Sequence, residues 1–255
     1  MIKLSAVIIV YNEERNIGRC LESLQGIADE IIIVDSYSTD KTAEICKAYK
    51  AQVYQQEFLG YAKQKNYANS LCEHSYIISL DADEALSDGL KKEILAIKNK
   101  FSADAYELNR LTNYAGKWVR HCGWYPDRKI RIFKKDKARW AGPRLHETIE
   151  ISSNNIMRLK SDLLHYSFHT EEDHLNQIEK FTNISSKELF DEGKRANFYY
   201  LYLKPAIRFI IDYIIKLGVL DGSTGFTVCK NSAFASYLKY SKLKKHWIEY
   251  ENSSS

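Results

Sequence analysis

The sequence predicts an α/β protein built on a mostly parallel sheet with flanking helices, followed by a helical C-terminal extension. Three observations carry this. Short, nearly continuous apolar runs recur at residues 4–10, 30–34 and 76–80, as strands buried on both faces require. Segments with apolar residues at helical spacing lie between them, and steady strand–helix alternation predicts right-handed parallel crossovers. Each run ends abruptly in polar residues: Tyr11-Asn12-Glu13, Asp35-Ser36 and Asp81-Ala82-Asp83.

After the first strand, Ile17, Cys20, Leu21 and Leu24 mark a helix face. After the second, Ser38, Thr39 and Asp40 supply helix-start chemistry ahead of Thr42, Ile45, Cys46 and Tyr49. Residues 51–54 form a short third strand, and residues 60–71, carrying Lys63, Gln64, Lys65 and Asn66, a third helix. Ser87 opens a fourth helix with the face Leu90, Ile94, Ile97 and Phe101. Residues 105–108 and 118–119 are strands of a more mixed sheet. Residues 129–133 alternate, with bases on one face and apolar side chains on the other.

At 255 residues the chain can bury one substantial core with an appendage. Its net charge of +4 is too mild to indicate nucleic acid. The five cysteines are scattered with no C-x-x-C pair, which argues against a disulfide framework or a zinc knuckle and fits a reducing cytosol. No signal peptide is expected, and no apolar run approaches the ~18 residues of a spanning helix.

In a parallel sheet the three polar clusters share one edge, where ligands of open α/β sheets bind. Asp81 and Asp83, separated only by Ala82, can both face one ion, and hard oxygen donors suit Mg²⁺ or Mn²⁺ carrying phosphate oxygens. No G-x-G-x-x-G follows the first strand and no P-loop is present, which counts against NAD, FAD and P-loop nucleotides. Metal and basic side chains must then hold any phosphate. His146-Glu147 is followed by Glu150 where a zincin needs histidine, so a zinc-protease reading fails. Arg128 and Arg131 have the fork geometry for a phosphate or carboxylate, and Trp124 and Tyr125 can stack on a sugar; a solvated basic strand and a buried Trp account for them equally. Asn12, Ser38 and Asp40 serve equally well as loop caps.

Three ordered stretches, residues 6–14, 33–40 and 80–84, resemble the nucleotide-sugar half of family 2 glycosyltransferases, which have the GT-A fold, a Rossmann-like sheet with flanking helices. The resemblance implies that Val10, Tyr11, Glu13 and Asp35 contact uridine. It implies that Lys65 assists the base or diphosphate, and that Asp81, Ala82 and Asp83 handle a metal-bound diphosphate. The later Gly-Trp-Tyr-Pro-Asp-Arg, Gly-Pro-x-x-His-Glu and Leu-x-His patterns resemble the branch that glucosylates lipopolysaccharide inner core. By that resemblance Glu147 is the catalytic base, His146 orients acceptor or diphosphate, and His165 is a third metal or diphosphate ligand. His165 follows an apolar pair, where a core histidine is the commoner reading.

Domains are expected at 1–168 (catalytic, with a nucleotide-sugar half 1–100 and an acceptor half 101–168) and 169–255 (helical). A helix is expected over 170–192, its Glu171, Glu172 and Asp173 suiting the positive N-terminal end. A short apolar helix follows over 206–217, flanked by aromatics and by eight bases from Lys204 to Lys245. That composition suggests an anchor on an anionic membrane surface, the alternative being a helix packed on the catalytic domain or in a dimer. Gly218, Gly222 and Gly225 mark a turn-rich connection.

Together these imply a metal-dependent, inverting hexosyltransferase. It would take a UDP-sugar, preferably UDP-glucose, as donor and a lipid-linked saccharide or lipopolysaccharide core as acceptor, and work as a peripheral protein on the cytosolic face of the inner membrane. The alternatives are a nucleotidyltransferase acting on a sugar phosphate and a non-catalytic, membrane-associated sugar-nucleotide-binding protein.

Overall fold

In the computed structural model Leu4–Val10 form β1, buried along its length and hydrogen-bonded on both sides. Glu30–Asp35 (β2) and Tyr76–Asp81 (β4) flank it in parallel, and Gln52–Gln55 (β3) completes that edge beside β2. The model describes residues 1–142 and 147–253. Side chains alternate across β1. Ala6, Ile8 and Val10 point into one core with helices α1 (Ile17–Leu24), α2 (Thr42–Ala48) and α4 (Asp88–Lys98). Val7 points into a second core with α3 (Tyr61–Leu71), Phe133 and Trp140. Burial on both faces is why these strands read as unbroken apolar runs. Each fully buried side chain such as Leu21 contributes roughly 2–3 kcal/mol.

Beyond β4 the sheet turns antiparallel. The order is β3-β2-β1-β4-β8-β6-β11-β5, with β7 (Lys117–Val119) paired to β6 (Ala105–Tyr114). β8 is Asp127–Lys134, β11 is Ile156–Phe168 and β5 is Glu84–Leu86. β5 was not expected. It has three residues, begins directly after the Asp81–Asp83 turn and pairs with β11. The expected fourth helix is α4, and Ser87 accepts its Leu90 N–H at 3.2 Å. β9 (Ala138–Ala141) and β10 (Thr148–Ile151) form a separate antiparallel pair.

Contacts group Met1–Leu111 with Asp127–Tyr166, and Thr112–Pro126 with Ser167–Ser255. Residues 112–126, assigned from sequence to the acceptor half, group with the second unit because Tyr114, Val119 and Cys122 share a core with Phe168, Val228 and Cys229. Trp124 is partly buried and packs there against Tyr114, Phe168 and His174. Helix α5 (Glu171–Asp191) starts with a capping box between Thr170 and Asp173. The short apolar helix is α6 (Lys204–Ile210), with wider π-type turns on each side. The expected glycine-rich connection is confined to one tight turn, and Gly222–Ser253 form a single helix, α7. Gly225 is required there: a Cβ would lie 1.9 Å from the Gly218 carbonyl oxygen.

Candidate active site

The parallel register decides which residues share the sheet edge. Val10 lies opposite Asp35, and Ile9 opposite Asp81, so the ends of β1, β2 and β4 are level. Asn12 adopts a left-handed backbone, and the loops after β1 and β2 are tied together. Ser38 Oγ accepts the Asn12 N–H (2.9 Å), Asn12 Oδ1 accepts the Thr39 N–H (2.8 Å) and Asp40 Oδ2 accepts the Glu14 N–H (3.1 Å). Asn12, Ser38 and Asp40 are thus loop ties. Asp35 is fully buried; its Oδ1 accepts from Ser38 N–H and Oγ, while Oδ2 has no hydrogen-bond partner among the described residues. A buried orphan acceptor of this kind needs a donor, from water or from a ligand.

At the end of β4, Lys65 and Arg131 meet the acids. Lys65, 3% exposed on α3, donates from Nζ to Asp81 Oδ1 at 2.8 Å and to Glu147 Oε1 at 3.0 Å. Its ammonium also lies 4.4 Å from the centre of the Trp140 ring. Asn66, the next residue of α3, exchanges two hydrogen bonds with the Trp140 backbone, at 2.8 and 2.9 Å. That clasp fixes β9 on α3, and β9 leads toward Glu147. Arg131 Nη2 donates to Asp81 Oδ2 at 2.5 Å and to Glu84 Oε1 at 2.6 Å. Arg110 extends the chain of charges, approaching Glu84 at 3.4 Å and Asp127 at 2.6 Å.

Arg131 departs from the simple alternation expected for β8. Tyr106 pairs with Ile132 but Glu107 pairs with Ile130, so Arg131 is the extra residue of a β-bulge. The bulge places Arg131 in the interior, where it is 4% exposed, rather than on the solvated face that was one of its two readings. Burial alone would raise Asp81; the adjacent Arg131 and Lys65 cations overcome it and hold the carboxyl well below the usual range. Burial alone would lower Arg131, and Asp81 and Glu84 reverse that too.

The rim carries further negative charge. Glu13 is raised above the ordinary carboxyl range, first by burial, with Asp83, Asp40 and Asp81 adding to it against the Asn16 hydrogen bond. Asp83 Oδ2 lies 3.2 Å from His165 Nε2, because β5–β11 pairing sets His165 opposite Glu84. Asp81, expected as a metal ligand, has its carboxylate oxygens engaged by Lys65 and Arg131, and Asp83 and His165 of the expected metal set pair with each other. No group of three or more His, Cys, Asp or Glu among the described residues is placed to hold an ion by itself. A carboxylate and an imidazole fit Mn²⁺ or Mg²⁺ when diphosphate and water supply the other positions.

Of the other expected residues, Val10 and Ala82 are buried at the edge and Tyr11 is 59% exposed. Arg128 is exposed on β8 and joins no ion pair among the described residues. His146 lies outside the described residues. Tyr61 was missed: burial raises its phenol, and the charge of Glu147 is the next contribution. It stands four residues before Lys65, on the same helix face, and that spacing was the available signal. Glu84 was missed as a buried counter-ion, since a third acid after a strand reads as surface. The cysteines are no candidate nucleophiles: all five are buried, and burial pushes the Cys46 and Cys72 thiols up to about 12.

Residues 5–162 match the family model described as glycosyl transferase family 2. The chain belongs to glycosyltransferase family 2. Its sheet, parallel through β4 and antiparallel beyond, with flanking helices and a C-terminal helical extension, is the GT-A arrangement expected for the family. An uncharacterized glycosyltransferase of Rickettsia typhi is 30% identical over 99% of this chain and 90% of its own length. The lipopolysaccharide core biosynthesis glycosyltransferase LpsC of Rhizobium meliloti is 30% identical over 94% of this chain and 91% of its own. Among solved structures, S. aureus TarS 1–349 in complex with UDP is similar, at 17% identity, with a TM-score of 0.49, 97% of this chain and 92% of that one covered. This family 2 glycosyltransferase is therefore an enzyme of sugar transfer, and the nucleotidyltransferase alternative falls away.

Proposed function

We propose that the protein is an inverting hexosyltransferase that moves glucose from UDP-glucose to a saccharide of lipopolysaccharide core or another lipid-linked glycan. The observation that carries the reading is the Lys65 ammonium shared between Asp81 at the sheet edge and Glu147. One fixed cation thereby couples the diphosphate end of the site to the carboxylate that acts as base. The name of the relative LpsC supports the acceptor class.

In this reading Asp35 Oδ2 accepts a hydrogen bond from the uridine, and Val10 and Tyr11 line the same edge. Lys65 and Arg131 hold Asp81 ionised and add positive charge beside the leaving diphosphate. A divalent ion held by Asp83 and His165, when bound, offsets charge on the departing UDP. Glu147 removes the acceptor hydroxyl proton as that oxygen attacks the anomeric carbon from the face opposite the diphosphate. The bond to the diphosphate oxygen breaks with its electron pair, so UDP leaves and the configuration inverts with no covalent intermediate.

The test is Glu147→Gln. Transfer from UDP-[¹⁴C]glucose to a membrane extract should fall about 10²- to 10⁴-fold, while UDP affinity stays within a few-fold. Full activity in this variant removes Glu147 from the mechanism.

A further inference from the structure

The C-terminal unit carries an exposed apolar surface. Between Phe198 and Leu220 eleven large apolar side chains are exposed, with Ile214 at 60% and Ile215 at 69%. Leu203, Ile207, Ile210 and Ile214 recur at spacings of four, three and four, so they form one stripe along α6 and its flanking turns. Two grooves of about 530 Å³ each run beside α6. One contains Lys204, Arg208 and Lys239 next to Ile207, and the other contains Lys230 next to Ile210. Residues 198–245 hold eight Lys or Arg against two Asp, a net +6 in a chain of +4, so the rest of the molecule is net acidic. Asp212, the acid inside the stripe, is 1% exposed and paired with Arg208 and with Lys216 at 3.0 Å, so its charge does not face outward. No helix among the described residues is long and apolar enough to cross a membrane.

We propose that residues 198–220 lie in the plane of an anionic lipid surface. The isoleucine stripe enters the acyl boundary, and the bases of the two grooves meet the headgroups. Apolar exposure alone would suit any greasy partner; the excess of bases bordering it selects a negatively charged bilayer.

The test is co-sedimentation of the full chain with vesicles of phosphatidylglycerol–phosphatidylcholine and of phosphatidylcholine alone. Binding should be at least tenfold tighter to the anionic vesicles and should weaken with salt. Lys230→Gln and Lys239→Gln should each weaken it roughly fivefold, and Ile207→Ser/Ile210→Ser/Ile214→Ser should abolish it. Cooperative thermal unfolding at an unchanged Tm shows that each variant is folded. Equal binding to both vesicles, or binding to neither, overturns the proposal. A concentration-dependent dimer in analytical ultracentrifugation that the triple serine variant dissolves also overturns it, because the face is then an interface between two copies.

Discussion

Arg131 is the side chain whose loss should be felt most widely. Its guanidinium lies 2.5 Å from Asp81 and 2.6 Å from Glu84. Arg131 is 4% exposed and Glu84 not exposed at all, so Arg131→Met strands a buried carboxylate whose remaining cation, Arg110, is 3.4 Å away. Removing one partner of such a pair costs about 3–5 kcal/mol. Asp81, 32% exposed, is partly screened by water, so most of that loss comes from Glu84. At roughly 2–4 °C per kcal/mol for a chain of this size, the Tm should drop by about 6–20 °C. Glu84→Gln keeps an oxygen for the Asp81 N–H and removes the stranded charge. Combined with Arg131→Met it should therefore restore about 1–3 kcal/mol of the loss. Urea unfolding of the two single variants and the double variant reads the cycle. A cost below about 1 kcal/mol for Arg131→Met, or a double variant no more stable than Arg131→Met alone, would refute the assignment of Arg131 as the counter-ion that holds this edge.

Two further outcomes follow from the same reasoning. His174 is buried among Tyr114, Trp124 and Phe168, and burial lowers it from 6.5 to about 4 in the folded state. The unfolded chain then binds the extra proton between those values, so stability is full above pH 6.5 and is lost as pH falls toward 4; over that window the stability advantage over His174→Gln should shrink by about 3 kcal/mol, and a difference independent of pH refutes it. Asp83→Ala should lose the additional thermal stabilisation that Mn²⁺ confers with UDP while keeping that of UDP alone; an unchanged Mn²⁺ response would remove Asp83 from the metal site.

The parallel half of the fold was legible because β1, β2 and β4 are buried on both faces, a burial that leaves an apolar run ended by the site's own residues. The antiparallel half was less legible. β5 has three residues, too short for any period, and exists only because β11 lies beside it. Gly218, Gly222 and Gly225 read as a turn-rich connection, yet Gly218 and Gly225 each serve a close backbone contact.

Linear order alone determined the family and the polar clusters that end β1, β2 and β4, since local patterning and motif spacing are properties of neighbours along the chain; the parallel register brings those ends level. Which cation each acid receives was decided in three dimensions. The bulge that turns Arg131 inward arises from register with another strand, and Lys65 reaches Glu147 across 82 positions because Asn66 clasps β9. Electrostatic pairing depends on distance in space and on exclusion of water, and neither is set until the sheet has closed around the site.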